Sequence, residues 1–267
     1  MSTNILAKIV ASKFGEVAER KKQISIGELE AMPLFTEAGY SLKSNLVDPN
    51  KTGIIAEFKR QSPSKGIINN TALVHEVTKA YSDFGASGIS VLTDTHFFGG
   101  SLDDLEIAVK NTMPVLRKEF IIDEFQIIEA KAYGASVILL IASCLTPAET
   151  KLLAGTAKAL GMEVLLEIHD KTEMGHISDE VDFVGVNNRS LKSFEVNIEH
   201  SLQLRSQLPK NKLSIAESGI YDLATFQLLK KEGFDGFLMG EYFMKQADPA
   251  KAFELFVSQI KSSSNAI

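Results

Sequence analysis

The sequence predicts an α/β fold, a (β/α)8 TIM barrel with an N-terminal helical extension, and three observations lead to this prediction. Short strand-like runs recur along the 267 residues, and segments with apolar residues at helical spacing separate them. Several runs are almost continuously apolar, which is typical of parallel strands covered by helices. Eight such units within about 210 residues fit a closed barrel.

Eight strands are predicted in chain order. The first four are IIAEFKR from Ile54, GISVLTD from Gly88, PVLRKEFI from Pro114 and SVILLIAS from Ser136. The last four are EVLLEIH from Glu163, FVGVNNR from Phe183, LSIAES from Leu213 and GFLMG from Gly236. A doubly wound sheet is the alternative architecture, and the lack of a G-x-G-x-x-G or Walker loop after the first strand disfavours it.

A helical pattern is expected after each strand, as in TALVHEVTKAYSDFGA and TPAETKLLAGTAKALG. The second segment carries helix boundary signals: Thr146 as N-cap, Pro147 at the first position, Glu149 at the third, and Gly161 at the end. Residues 1–50 are predicted to form an extension packed on the barrel, a helix (ILAKIVASKFGEVAERKKQ) followed by a looser stretch. No linker composition separates this extension, so residues 1–267 are expected to form a single domain.

Composition excludes several classes of protein. The formal net charge is −6, and the 28 basic and 34 acidic residues are interspersed, which argues against a nucleic-acid-binding face. No apolar run approaches the roughly 20 residues needed to cross a bilayer, and the start is neither a signal nor a transit peptide, so we expect a cytoplasmic protein. The single cysteine, Cys144, excludes an intramolecular disulfide and a cysteine-based zinc site, and is interpreted as a buried apolar residue.

The first predicted strand contains an anomaly. Strand alternation places Ile55, Glu57 and Lys59 on one face, although charged side chains are costly to bury unless they are paired. Similar polar residues end other strands: Lys118, Glu167, Asn187 with Arg189, and Glu217. One such residue would simply emerge into solvent, but a set from five strands predicts a polar ring at the C-terminal end of the barrel, where barrel enzymes keep their active sites.

The composition of this ring indicates acid–base chemistry by Lys and Glu, whose pKa values are expected to shift toward neutrality when the groups are crowded and partly desolvated. The ring offers no ligand group suited to zinc, so no metal is expected. His169 could share the face of Glu167, but we expect it to cap or contact the following helix. The other histidines fall on helices or loops without evident partners: His75, His96, His176 and His200.

Two glycine turns after the last two strands, ESGI and MGEYF, indicate a phosphate site. Gly219 and Gly240 would let backbone N–H groups approach an anion, and this fold usually binds phosphate there. The loop QSPSKG adds Ser62 and Lys65 to the same rim. Glycine turns that merely begin a helix, and a solvated turn shaped by Pro63, are the alternatives for these segments.

The chain resembles the indole-3-glycerol phosphate synthase family. The resemblance covers essentially the whole chain and rests on these segments in order: ILAKIVASKFGEVAERK, IIAEFKRQSPSKG, VLTDTHFFGGSLDDL, VLRKEFIIDEFQI, LLEIHD, GVNNRSL, IAESGI and LMGEYFM. EFKRQSPSKG and LRKEFIID are specific, whereas ESGI and MGE also occur in other phosphate-binding barrels. The resemblance implies cyclisation of 1-(2-carboxyphenylamino)-1-deoxyribulose 5-phosphate with loss of CO2 and water, without a cofactor.

The resemblance also implies roles for individual residues. Lys118 corresponds to the general acid that protonates the substrate ketone, and Glu167 to the carboxylate that works with it in proton transfer and dehydration. The remaining catalytic positions match Glu57, Lys59, Asn187 and Glu217, and the substrate-binding positions match Arg189, Ser218, Phe97 and Phe98. The phosphate-binding positions match Ser62, Gly219, Gly240 and the amide of Glu241. Tyr242 and Phe243 depart from the small or hydroxyl residue usual there, which leaves the last phosphate contacts open.

Other questions stay open from sequence alone. Lys59 and Arg189 are both placed to bind the substrate carboxylate, and Glu57 is interpreted as the group that keeps Lys59 charged and in position. The alternatives are another phosphate-binding barrel of the phosphoribosylanthranilate isomerase type and a catalytically silent barrel. The expected partner is a small phosphorylated substrate, with no nucleic acid or membrane, and the expected state is a monomer or weak homodimer.

Overall fold

Eight parallel strands close into a barrel in the computed structural model, which describes residues 5–190 and 195–264. Each strand pairs with the next along the chain, and β8 pairs with β1 to complete the circle. The strands are β1 (Ile54–Phe58), β2 (Gly88–Leu92), β3 (Val115–Lys118), β4 (Val137–Ile141), β5 (Glu163–Ile168), β6 (Phe183–Asn187), β7 (Leu213–Glu217) and β8 (Gly236–Met239). All eight predicted strands and the (β/α)8 barrel are therefore confirmed.

Helices surround the barrel and precede it. They are α1 (Ile5–Gln23), α2 (Ile26–Glu30), α3 (Leu42–Val47), α4 (Val74–Asp83), α5 (Thr95–Phe98), α6 (Leu102–Ala108), α7 (Glu124–Ala132), α8 (Pro147–Ala159), α9 (Ile198–Arg205), α10 (Leu223–Lys231), α11 (Glu241–Met244) and α12 (Pro249–Ser264). A short antiparallel pair, Gln61–Ser62 with Gly66–Ile67, follows β1, and a 3₁₀ turn, Ala142–Cys144, follows β4. None of the described helices is long and apolar enough to span a membrane.

The connection after β5 differs from the prediction of a helix behind every strand. Only a 3₁₀ helix, Lys171–His176, occupies it, and Asp170 caps its start by accepting the backbone N–H of Thr172. The connection between β5 and β6 is short, and a 3₁₀ segment connects the two strands where a full α-helix is absent. This tight turn brings the residues that follow β5 close to the mouth of the barrel.

The boundaries of α8 follow the predicted signals. The hydroxyl of Thr146 accepts the backbone N–H of Glu149, whose carboxylate accepts the N–H of Thr146 in return at 2.7 Å. Pro147 begins the helix, and Gly161 adopts a left-handed φ of 71° just beyond its end. The capping prediction is confirmed.

The N-terminal extension begins with the predicted helix, α1, but its looser stretch contains two further short helices. Ser25 and Ser41 supply their N-caps, and Ser41 also donates to Glu163 at the start of β5 at 2.6 Å. The contact of Ser41 with Glu163 joins the extension to the N-terminal end of the barrel. Residues 1–4, 265–267 and Leu191, the last residue of GVNNRSL, lie outside the described residues.

Apolar side chains fill the barrel in layers, and charged side chains lie above them. The inner apolar cluster contains residues from alternate positions of the strands: Ile55, Leu116, Leu139, Leu165, Ile215 and Leu238. Two residues later on β1, β3, β5 and β7, the same inward face carries Glu57, Lys118, Glu167 and Glu217. The apolar layer therefore supports the charged ring from below.

Candidate active site

A cavity opens at the C-terminal mouth of the barrel, and almost all of the predicted site residues line it. Its wall includes Glu57, Lys59, Ser62, Phe98, Lys118, Glu167, Asn187, Arg189, Glu217, Ser218, Gly219, Gly240 and Glu241. Phe97 and Lys65 are the predicted residues that are not part of this wall, and Lys65 lies 4.0 Å from the carboxylate of Glu241. Side-chain alternation along the strands thus places residues that are distant in sequence around one cavity, as the predicted polar ring requires.

Lys118 lies between two carboxylates. Its Nζ atom is 3.1 Å from Oε2 of Glu167 and 3.4 Å from Oε2 of Glu217. Burial disfavours the charged ammonium, but Glu167, Glu217 and Glu57 outweigh burial and raise the pKa of Lys118. Lys118 is therefore protonated at neutral pH, and its pKa has moved away from neutrality and not toward it as predicted, because the carboxylates outweigh burial.

Glu167 is held in the ionised form. Burial opposes its charge, but Lys118 and His169 outweigh burial and lower the pKa of the Glu167 carboxyl. The side-chain amide of Asn187 also donates to Oε1 of Glu167 at 3.1 Å. Glu167 is therefore a carboxylate at neutral pH, which is the form that a proton acceptor requires, although the same partners make it a weaker base.

Glu217, in contrast to Glu167, is held in the protonated form. Its side chain is 1% exposed, and burial, together with the neighbouring Glu167, raises its pKa to about 8 although Lys118 acts against this. Two carboxyl groups that share one lysine cannot both ionise easily, so the proton stays on the one with fewer cationic partners. The site therefore combines a cationic Lys118 and a protonated Glu217 with an ionised Glu167.

The anomalous first strand places its charges as an ion pair at the cavity. Oε1 of the buried Glu57 accepts from Nζ of Lys59 at 2.6 Å. A Cβ atom on Gly240 would lie 2.8 Å from Cβ of Glu57, so the glycine leaves room for this carboxylate. Glu57 and Lys59 are thus paired residues of the site, and Glu57 holds Lys59 in position.

The loops after β7 and β8 form the other side of the cavity. Ser218 and Gly219 both adopt left-handed backbone, with φ of 65° and 75°, and Asn188 donates to the carbonyl of Ser218 at 2.7 Å. A serine rarely adopts this conformation, and such strain persists where the surroundings impose it, commonly at functional sites. Gly240 follows β8 and precedes α11 on the same rim.

Arg189 reaches the same side of the cavity as these loops. Its guanidinium donates to Oε2 of Glu241 at 3.0 Å and to the hydroxyl of Tyr221 at 2.9 Å, and Ser64 lies 3.5 Å away. Only the backbone amide of Glu241, and not its side chain, was predicted to take part in the site. The structure shows that its carboxylate is an ion-pair partner of Arg189.

Apolar groups form the outer wall, and part of this wall was missed from sequence. Asp94 accepts the backbone N–H groups of Phe97 and Phe98 at 2.6 and 3.1 Å, which fixes the loop, and the ring of Phe98 packs 5.9 Å from that of Phe120. The extension was predicted only to pack on the barrel, but α1 also lines the cavity through Ile5, Leu6 and Ile9. The helical spacing of these apolar residues indicated a buried face of α1.

His169 contacts the helix that follows β5, as predicted, and it also contacts Glu167. Its Nε2 atom lies 3.3 Å from Oε1 of Glu167, although it also meets the expected following element through Glu173. The shared parity with Glu167 was the signal in the sequence, and the tight turn after β5 keeps the imidazole beside that carboxylate.

Comparisons with known proteins agree with this geometry. An indole-3-glycerol phosphate synthase of Bacteroides thetaiotaomicron is 43% identical over 259 residues, which cover 97% of this chain and 99% of that protein. Among solved structures, a tryptophan synthase subunit alpha from Legionella pneumophila superposes with a TM-score of 0.62 at 13% identity, covering 85% of this chain and 98% of that one. A thiamine phosphate pyrophosphorylase from Pyrococcus furiosus gives 0.56 at 14% identity, covering 78% and 95%.

The two structural similarities have low sequence identity and establish the barrel fold alone. The sequence profile described as indole-3-glycerol phosphate synthase matches residues 6–256, which include the helix α1, the charged ring and the glycine loops. The chain belongs to the indole-3-glycerol phosphate synthase family.

Proposed function

We propose that this chain converts 1-(2-carboxyphenylamino)-1-deoxyribulose 5-phosphate to indole-3-glycerol phosphate, with Lys118 and Glu167 transferring the protons. Family membership supports the reaction. The observation that carries the assignment of roles is the position of the Lys118 ammonium, 3.1 Å from Glu167 and 3.4 Å from Glu217 at the mouth of the barrel.

Lys118 acts in ring closure. A ring carbon of the substrate attacks the ketone carbon, the carbonyl π bond breaks, and its electron pair moves to oxygen. Lys118 neutralises the developing negative charge and donates a proton to that oxygen, as a general acid. Its pKa, which the surrounding carboxylates raise, keeps the proton available at neutral pH.

Glu167 acts after closure. Loss of CO2 leaves its bonding electron pair in the ring system, and the new hydroxyl must then depart as water. Departure of water and formation of the indole double bond require that one proton is supplied and another is removed. Glu167, the ionised carboxylate beside Lys118, removes the proton from the carbon that joins the new double bond. Glu217, which lies 3.4 Å from Lys118 and carries a proton, reprotonates Lys118, and Lys118 supplies the proton with which the hydroxyl departs as water.

The two anionic ends of the substrate need separate partners. Arg189 lies with Tyr221 and Glu241 beside the loops of Gly219 and Gly240, and we assign it to the phosphate side. Lys59 is paired with Glu57, and the charge of Glu57 acts on the pKa of Lys118, which supports placing Lys59 on the side of the reacting centre. We therefore assign the substrate carboxylate to Lys59, with Ser62 and the amides of Gly219, Gly240 and Glu241 holding the phosphate.

One chain supplies every residue that these assignments use. We therefore propose that the enzyme works on its small phosphorylated substrate as a monomer or weak homodimer. We also propose that it is cytoplasmic and that the chain folds as a single domain. Sedimentation at several concentrations, with activity followed in parallel, tests this state. Activity that disappears on dilution as a dimer dissociates would contradict it.

The test of the function is ring closure measured by indole absorbance and fluorescence, which stands out because the chain has no tryptophan. Lys118→Met should lower kcat by about 10²-fold or more, as expected when a general acid is lost. Lys22→Met changes a lysine exposed on α1 and serves as the control. A Lys118→Met variant with kcat within tenfold of the parent would remove Lys118 from this role, and a parent without turnover would refute the function.

A further inference from the structure

His169 is next to the site but lies outside its wall. It follows β5 by one residue, its side chain is 13% exposed, and it is not among the residues that line the cavity. Its Nε2 atom faces Oε1 of Glu167 at 3.3 Å, whereas Lys118 contacts Oε2 of the same carboxylate. Lys118 and His169 therefore approach opposite oxygens of one carboxylate, and the amide of Asn187 donates to the same oxygen that His169 faces.

The other side of the imidazole is fixed by the 3₁₀ segments after β4 and β5. Nδ1 of His169 is 3.2 Å from Oγ of Ser143 and 3.6 Å from Oε2 of Glu173. Ser143 donates its hydroxyl to Glu173 at 2.6 Å, so its oxygen is free to accept from Nδ1–H. Glu173 also accepts the backbone N–H of His169 at 2.6 Å, so ring and backbone are held by the same carboxylate.

Acidic groups dominate the surroundings of the imidazole. Burial opposes its charge, but Glu173, Glu167 and Glu217 outweigh burial and raise the pKa of His169. His200 on α9 contacts only its backbone carbonyl, at 2.8 Å. Burial raises the pKa of the nearby Cys144 thiol to about 12, so this neighbour stays neutral, and Lys118 lies beyond Glu167.

We propose that His169 is a positioning residue for Glu167, which it fixes through the contact between Nε2 and Oε1 while its positive charge keeps that carboxylate ionised. The imidazole is anchored by Ser143 and Glu173 and does not touch the substrate. This inference rests on the proposed function, because it assigns His169 to the group that removes the proton. It explains why Glu167, and not Glu217, carries the negative charge beside the shared Lys118.

The first test follows the imidazole by NMR and requires no activity. The titration of His169, assigned by its loss in His169→Asn, should have a midpoint above the ordinary histidine value in the parent. Glu167→Gln should lower the midpoint by about one unit, because one opposite charge is removed. A midpoint that is ordinary in the parent and unchanged in Glu167→Gln would overturn the proposal.

The second test is the pH profile of kcat. His169→Asn should move the acidic limb to higher pH by about one unit, because Glu167 then loses a cationic neighbour. Glu173→Gln should move the limb in the same direction by less, because it frees the imidazole without removing it. His75→Asn, on the exposed surface of α4, is the control and should leave the profile in place.

The outcomes separate this inference from the proposed function. A parent that closes no ring refutes the function, whereas the NMR titration still reports whether His169 and Glu167 are coupled. An active parent whose Glu167→Gln variant loses activity, with His169→Asn giving the parental limbs, refutes only the positioning role. A lower kcat at every pH without movement of the acidic limb would show a structural role and would also overturn the proposal.

Discussion

Gly185 leaves the space that Glu217 occupies. A Cβ atom on Gly185 in β6 would collide with Oε1 of Glu217 in the neighbouring strand β7. The absence of a side chain in one strand therefore allows the adjacent strand to fold its carboxylate inward, beneath Lys118. Glycine here serves close approach, since its backbone φ is not left-handed.

Gly185→Ala should displace Glu217 and disturb the ion pairs of Lys118. We expect kcat to fall by about 10²-fold, because small displacements of catalytic groups are costly. The free energy of unfolding should fall by about 1–3 kcal/mol, as for other overpacked cores. Kinetics and urea unfolding measure the two effects.

Gly155→Ala is the matched control for that substitution. Gly155 lies in α8, and a Cβ atom there would meet nothing within 4 Å. The change should leave kcat unaltered and raise the free energy of unfolding by about 0.5–1 kcal/mol, because alanine favours a helix interior. If both alanine variants behaved alike, steric displacement of Glu217 would not be the cause.

Glu217→Gln should change how stability depends on pH. In the unfolded chain this carboxyl loses its proton near its ordinary pKa of 4.5, but the folded protein retains the proton to about pH 8. The folded state binds more protons in this window, so the contribution of Glu217 to stability is present below pH 4.5 and is lost as the pH rises to about 8. Glutamine cannot ionise, so the stability of the variant relative to the parent should increase from pH 5 to pH 8. Urea unfolding at three pH values checks this, and a constant difference would show that Glu217 is ionised throughout.

Inorganic phosphate should inhibit competitively with the substrate. Arg189→Gln should weaken this inhibition by about tenfold or more, because it removes a charged hydrogen-bond donor and leaves Glu241 with only the more distant Lys65, at 4.0 Å. Lys59→Gln should raise the KM for the substrate but keep the inhibition constant for phosphate. The reverse pattern in these two variants would exchange the assignments of carboxylate and phosphate.

Lys13→Met should destabilise the protein strongly. The ammonium of Lys13 in α1 is 2.8 Å from Asp94 and 3.1 Å from Glu119, and all three side chains are almost completely buried. Removal of the cation takes the nearest positive charge from two buried carboxylates, of which Glu119 keeps only Arg117 at 3.9 Å, and should cost about 3–5 kcal/mol. Lys22→Met, which breaks an exposed pair with Glu19, should change stability by less than about 0.5 kcal/mol. Equal losses in urea unfolding would contradict the difference in burial.

The eight strands and the charged ring could be predicted because both follow from simple periodicities. Side chains alternate along a strand, so Leu165 and Glu167, or Ile215 and Glu217, had to share a face once the strands were recognised. Closure of the barrel then placed the strand ends together. The ring follows from the strand assignments alone, without knowledge of any side-chain contact.

The contacts of His169 and of α1 could not be predicted in the same way. The position of the imidazole depends on Ser143 and Glu173, which come from two different turns whose geometry has no period. The wall formed by Ile5 and Ile9 depends on how a helix docks on the barrel. An apolar face predicts that a helix is buried but does not identify the surface that it covers.

The eight β/α units alone do not neutralise their own buried charges, because Lys13 comes from the preceding helix α1. Asp94 fixes the loop of Phe98, and Glu119 directly follows Lys118, so a cation from outside the barrel neutralises two groups that shape its mouth. A barrel trimmed to its strands and following helices would retain its symmetry but gain an excess of buried negative charge and lose one wall of its cavity. A chimera of two barrels of this kind should therefore take α1 and the second and third β/α units from the same parent. The charge of Lys13 in α1 balances the carboxylates of Asp94 and Glu119 in those two units.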